Sequence, residues 1–265
     1  MGRSSALTRA AVASTLCAAA AIACAEPPNP RLPLAGRIVR VFDFEERTPN
    51  PVPDGWFRAQ DQSPPPPIDE PEILNPQIRR RPGFPSWNLA TLDSTEAANG
   101  QVSVLLPTRG GSTSLVLQPG VVPIFPSGDY VVNAKVKTIG LHAARARVVA
   151  RMLSQNGDLV PGTERSSQLV FSPNGWTSVS LQMPAAGEDA AYMQVELQLV
   201  QPRDQGRARG PFHVWSEDVT GGAHFDDVMI GQLPRIELRS TAPGNIALLP
   251  AKPGVSVVVR DLTGE

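Results

Sequence analysis

Cysteine is nearly missing from this 265-residue chain. Its two copies, Cys17 and Cys24, both lie in an Ala-rich N-terminal stretch. A product cleaved behind that stretch has no thiol, no disulfide and no cysteine metal ligand. Histidine is limited to His142, His213 and His224, scattered without metal-ligand spacing. There is no Gly-x-Ser-x-Gly elbow, no ordered Ser/His/Asp set with supporting context, and no glycine loop leading from a strand into a helix. These absences leave no nucleophilic or phosphate-cradling machinery, and no catalytic residue is assigned. A net charge of -1 gives none of the basic excess that phosphate backbones require, which excludes nucleic acid as a partner class. Aromatic residues make up only 5% of the chain, a thin supply for any surface that binds by stacking.

Proline is abundant, with 28 copies, and it punctuates the chain. Residues 1–25, MGRSSALTRAAVASTLCAAAAIACA, join a basic start to an apolar stretch and a small-x-small end, the pattern of a secretory signal cleaved after Ala25. The apolar part is too short for a permanent transmembrane anchor, so the chain is expected to be secreted or held at the cell surface or in the periplasm. The alternative is a lipoprotein box at AIAC, which would tether the protein through Cys24. Residues 26–36 read as a Pro-rich leader. Residues 60–87 hold a second proline cluster, which excludes a helix or a central strand and predicts a long surface loop.

Most of the remaining sequence alternates with period two. In DYVVNAKVKTIG, Val132, Ala134 and Val136 oppose Asn133, Lys135 and Lys137. In RARVVARML, Ala146, Val148, Ala150 and Met152 oppose Arg145, Arg147 and Arg151. In YMQVELQLV, Met193, Val195, Leu197 and Leu199 oppose Gln194, Glu196 and Gln198. QNGD at 155–158 predicts a hairpin, and SPNGW at 172–176 opens another strand. RIVRVFDFE, GQVSVLLPT, TSLVLQPG and AHFDDVMIG complete the set, and no stretch carries an amphipathic-helix pattern. The expected fold is all-β, a sandwich of two antiparallel sheets over residues 37–233. Residues 234–265 read as further strands, the start of a second, immunoglobulin-like β domain that stops in mid-pattern. This leaves room for a catalytic domain beyond Glu265.

Three segments, VFDFEERTPNPVPDGW, SPNGWTSVSLQMP and AHFDDVMIG, together resemble the carbohydrate-binding modules of the bacterial cellulase-C type, which are galactose-binding-like jelly rolls. The resemblance runs from about Arg37 to Leu233. It implies a jelly roll and a non-catalytic role in holding a multidomain protein at a polysaccharide. It also implies a structural calcium between first and last strands, with Glu45 and Asp226 as ligands, and Asp43 is close enough in sequence to add an oxygen. The residues alone fit equally well with acids that lie on the sandwich surface or cap turns. Two departures stand out, the Pro-rich loop and the stretch QPRDQGRARGPFHVWSEDVTGG, and both are long enough to cover or rebuild a binding groove.

Asp226 and Asp227 are adjacent on an expected strand, so their side chains should point to opposite faces and cannot act as a catalytic pair. His224 should share a side with Asp226 as a packed or rim residue. Sugar binding needs aromatic platforms, because a pyranose ring has an apolar face, and hydrogen-bonding side chains for its hydroxyl rim. Trp56 and Trp176 follow Gly-containing turns at positions where the family packs its core; Trp87 would pin the Pro-rich loop, and Trp215 is the candidate for an exposed platform. Lys135, Arg145, Arg147, Arg151, Gln194, Glu196 and Gln198 would share one polar face, able to grip a neutral or acidic glycan if their strands are neighbours. Two readings follow: a glycan-binding module, or a structural and adhesive sandwich that docks neighbouring domains.

Overall fold

The computed structural model describes residues 36–46, 51–61, 81–205, 216–240 and 254–260. The expected signal, the leader, the body of the Pro-rich loop and Trp215 lie outside the described residues. In chain order the strands are β1 Arg37–Phe42, β2 Trp56–Arg58, β3 Thr91–Asp93, β4 Ser103–Pro107, β5 Thr113–Leu117, β6 Asp129–Ile139, β7 Arg145–Leu153, β8 Arg165–Ser166, β9 Thr177–Met183, β10 Tyr192–Val200, β11 Gly222–Leu233, β12 Arg235–Ser240 and β13 Val255–Arg260. One short 3-10 turn, Pro202–Gln205, follows β10. Every long alternating run of the sequence is a strand, and the fold is an all-β jelly-roll sandwich. Sequence reasoning missed β2, β3 and β8, which have only two or three residues each and carry too little pattern to register.

One sheet runs β3-β4-β11-β6-β9, with β1 added along the second half of β11; the other runs β2-β5-β10-β7-β8. All these pairings are antiparallel. The alternation explains the layering: Val132, Ala134 and Val136 from β6 meet Val148, Ala150 and Met152 from β7 and Val195, Leu197 and Leu199 from β10 in a single buried core. Fully burying an aliphatic side chain of this kind contributes about 1.5–3 kcal/mol. Trp56 belongs to this core, with its indole edge-on to Phe42 and Phe44 at centroid distances of 5.2 and 5.9 Å. β12 and β13 pair only with each other, and Val255, Val257 and Val259 stand exposed on β13.

Two expectations need correction. Trp176 is not a core residue: it is half-buried, packed edge-on against His224 at 6.4 Å. It has the parity of the exposed Ser178 and Ser180, not that of the buried Val179 and Leu181. Lys135 does not share a face with the arginines, because β6 belongs to one sheet while β7 and β10 belong to the other. Period two reveals which residues share a face of one strand, but not which strands share a sheet.

Candidate functional site

β11 breaks its own alternation at the two aspartates. Phe225 and Val228 both reach the core although they are three residues apart, and the register with β6 shifts between Asp226 and Met229. Asp227 takes a left-handed backbone, φ 48°, as an inserted bulge residue can. The expectation that Asp226 and Asp227 face opposite sides is therefore overturned: the bulge turns both toward the loop at residues 94–102. The signal was present in the sequence, since two polar residues between Phe225 and Val228 cannot fit strict period two.

That loop is clamped from both sides. Asp226 Oδ2 accepts the amides of Ala98 at 2.7 Å and Asn99 at 3.2 Å, while its Oδ1 accepts the Asp227 amide at 2.7 Å. Asp227 accepts from the Asn99 side chain and pairs with Lys135 Nζ at 2.9 Å. From β1's end, Glu45 Oε1 accepts the amides of Gln101 at 2.7 Å and Val102 at 2.8 Å. Gly100, at φ +69°, sits where any side chain would strike the Glu45 carboxylate. Asp43 Oδ1 accepts the Glu45 amide at 3.3 Å, within its own turn. Glu45 and Asp226 thus anchor one loop through its backbone amides, a contact distinct from the calcium ligation the resemblance implied.

Whether these oxygens suit calcium depends on charge and on ligand number. Asp226 is fully buried and forms no ion pair among the described residues, and burial pushes its carboxyl up to about 6 against the downward pull of the three amides. A cation would supply the missing charge. Ligand number is harder to meet: no group of three or more His, Cys, Asp or Glu able to hold a metal occurs among the described residues. Backbone carbonyls would have to complete the six to eight oxygens calcium takes.

His224 is buried beside this region, with Nδ1 3.0 Å from Ser103 Oγ and 3.7 Å from Asp93. Burial lowers its pKa despite the neighbouring Asp93 and Glu96 carboxylates. It packs and hydrogen-bonds, as expected.

The polar face appears on the β2-β5-β10-β7-β8 sheet, but it is not a solvated surface. Arg147 on β7 lies opposite Gln198 on β10, and its Nε donates to Gln198 Oε1 at 2.6 Å. Gln198 passes the contact on, donating to Glu196 Oε1 at 2.6 Å. Glu196 also receives the Ser114 hydroxyl at 2.6 Å and ion-pairs with Arg81 and Arg151. Burial pushes its carboxyl up, but the Arg81 charge, the Ser114 hydroxyl and Arg151 outweigh this and hold it below the usual range. Gln194 donates to Leu117 O at 3.1 Å. Arg145 is turned aside, donating to His142 O and Ala144 O and lying over Phe171 at 4.6 Å.

Arg81 and Gln60, both at ends of the Pro-rich loop, supply what the sequence did not reveal. Arg81 donates to Ala59 O and stacks 3.9 Å over Phe84, while Gln60 bridges Ser112 O, Pro85 O and the Ser114 amide. Arg81 thereby covers Glu196, which with Gln194 and Gln198 is buried on the outward side of β10. Beside it lies a cavity of about 540 Å³, walled by Asp61, Arg81, Trp87, Arg203, Asp204 and Glu217 among others.

No family model and no curated protein matches the chain. Among solved structures it is similar to the CBM22-1 xylan-binding domain of Paenibacillus barcinonensis Xyn10C, at 14% identity over 75% of this chain and 96% of that one, with a TM-score of 0.45. It is also similar to the C-terminal family 22 carbohydrate-binding module of Clostridium thermocellum Xyn10B, at 13% identity over 54% and 80%, with a TM-score of 0.32. A family 16 carbohydrate-binding module matches at 13% over 55% and 88%, with a TM-score of 0.36. At these values the likeness decides neither ligand nor binding site.

Proposed function

We propose that this chain is a non-catalytic carbohydrate-binding-like module of an exported multidomain protein, which holds that protein at a glycan. The observation that carries the reading is the ladder Arg147, Gln198, Glu196 and Arg151. These are planar amide, carboxylate and guanidinium groups held in fixed orientations across neighbouring strands. Gln198 and Glu196 are buried and hold the half-buried Arg147 and Arg151 side chains in place, and guanidinium groups fixed in this way suit the hydroxyl rim of an oligosaccharide, because little ordering cost remains to be met on binding. The signal-like N-terminus supports export, and no helix among the described residues is long and apolar enough to cross a membrane. The strands after residue 233 support a further β domain.

The test is retention of the protein in gels containing soluble polysaccharides. Arg147→Ala should weaken retention several-fold, and a wild-type protein that migrates freely past every polysaccharide would remove the reading. Calcium belongs to the same proposal as a structural ion near Asp226 and Glu45, bound by the native state only. Calcium should then raise the melting temperature and chelator should lower it; identical melts would remove the ion.

The alternative is a structural sandwich that docks neighbouring domains. It is favoured by one observation: the polar groups of this face largely satisfy one another beneath Arg81. A partner domain that shields Arg147 and Arg151 from solvent exchange would support it.

A further inference from the structure

Among the described residues no tryptophan stands on the polar face, yet one stands next to it. Trp87 is 59% exposed, which is costly for the largest apolar side chain unless something covers it. Its indole is held in place: Nε1 donates to Arg109 O at 3.2 Å, and the neighbouring Asn88 is buried, with its Nδ2 donating to Gly111 O at 2.8 Å. The expectation that Trp87 pins the Pro-rich loop is thus half met, since the ring nitrogen is tied down while the ring faces stay open. Of the other tryptophans described, Trp56 is in the core and Trp176 rests on His224.

Trp87 stands on the wall of the 540 Å³ cavity, a volume in the range of small-ligand sites. The walls are tied to one another. Asp204 accepts the Ser112 hydroxyl and packs against Gly83, where no other residue fits, and the Ser112 amide donates to Gly83 O at 2.8 Å. At the rim, Arg203 Nη2 pairs with Glu217 Oε1 at 3.1 Å, leaving Arg203 63% exposed and able to reach a ligand. The lining thus combines three acids, Asp61, Asp204 and Glu217, with two arginines, Arg81 and Arg203. Both arginines are already paired, Arg81 with Glu196 and Arg203 with Glu217, so the described lining offers phosphates and uronic acids no uncompensated positive charge. It favours a neutral polyol, whose hydroxyls donate to carboxylates and accept from guanidinium.

We propose that this cavity is a binding site for a neutral oligosaccharide, with one pyranose face on Trp87 and its hydroxyls held by Glu217, Arg203 and Asp204. The proposal rests on the carbohydrate-binding reading and places the stacking contact at the end of the β2-β5-β10-β7-β8 sheet, away from the ladder on its face.

The experiment is affinity electrophoresis of the full chain in gels containing xylan, mixed-linkage β-glucan, galactomannan or hydroxyethylcellulose, with thermal melts of each variant. On the polysaccharide that retains wild type, Trp87→Ala should bind about tenfold or more weakly, a loss of about 1.4 kcal/mol or more, with its melt unchanged. Trp87→Phe should keep part of the affinity. Arg203→Ala, at an exposed position that does not threaten the fold, should weaken binding several-fold. If Trp87→Ala and Arg203→Ala both bind as wild type while Arg147→Ala does not, the cavity proposal is overturned and the carbohydrate reading survives. If wild type is retained by none of the four, both are overturned.

Discussion

Glu196 and Asp226 are the two buried carboxylates placed on the outward side of a central strand, one in each sheet, and their pKa values move in opposite directions. Burial pushes both upward. At Glu196, Arg81, Ser114 and Arg151 more than compensate and draw the pKa below the usual carboxylate range. At Asp226 the partners are backbone amides alone, and the carboxyl rises to about 6. Amide dipoles satisfy the hydrogen-bonding needs of a buried acid, while a full opposing charge is what decides its ionisation. One site is therefore an ion network that locks a strap over a sheet, and the other is a loop anchor that is short of positive charge.

Removing the carboxylate at the ion network should give the largest effect. Glu196→Ala leaves the half-buried Arg81 without this carboxylate and Arg151 with only the exposed Glu164 at 3.4 Å, a change expected to cost about 3 kcal/mol in chemical denaturation, the low end for a broken buried pair. Glu196→Gln tests the charge by itself. Because the folded pKa is lowered, its contribution is complete above the ordinary carboxylate range and disappears as pH falls below it. The acid limb of the wild-type stability curve should therefore flatten in Glu196→Gln, and an unchanged limb would show that the arginines do not hold the charge.

The loop anchor should behave with the opposite sign. Its folded pKa is raised, so its contribution is complete below about 3.8 and fades as pH rises through about 6. In chelator, wild type should lose on the order of 2–3 kcal/mol relative to Asp226→Asn between pH 4 and pH 7, at about 1.4 kcal/mol per pKa unit. Parallel curves for the two proteins would mean that Asp226 is ionised throughout. The smallest effect belongs to His224, whose lowered pKa makes its contribution complete above pH 6.5 and lost as pH falls through the folded value. His224→Gln should then lose slightly less stability than wild type between pH 7 and pH 5 in the same melts.

The long strands were legible because their side chains alternate over seven to twelve residues, and burial of one face enforces that period. The clamp on the loop at residues 94–102 was half legible. Glu45 and Asp226 were named from motifs, but the bulge that turns Asp227 to the same loop was read as plain alternation. The polar face was overread: Lys135 fits the pattern but sits in the other sheet, and Arg145 points to its own turn. Arg81 and Gln60 were missed, and the Trp87 cavity was foreshadowed only in that the Pro-rich loop and the stretch after β10 were long enough to rebuild a groove. They come from segments without periodicity, and nothing in a proline-rich loop announces which strand its flanks will cover.

By itself, the sequence determined an all-β chain with two apolar layers, no cysteine chemistry behind the N-terminal stretch, and acids just after the first strand and within the last strand of the sandwich. Each of these follows from local chemistry, namely the two-residue repeat of the strand, the absence of a residue type, or a short motif. The tertiary structure decided which strands share a sheet, that a loop flank closes the polar face, and that one buried acid meets arginines while the other meets only amides. Those outcomes depend on contacts between residues roughly 25 to 130 positions apart, where chain connectivity sets no constraint and packing alone selects the partner.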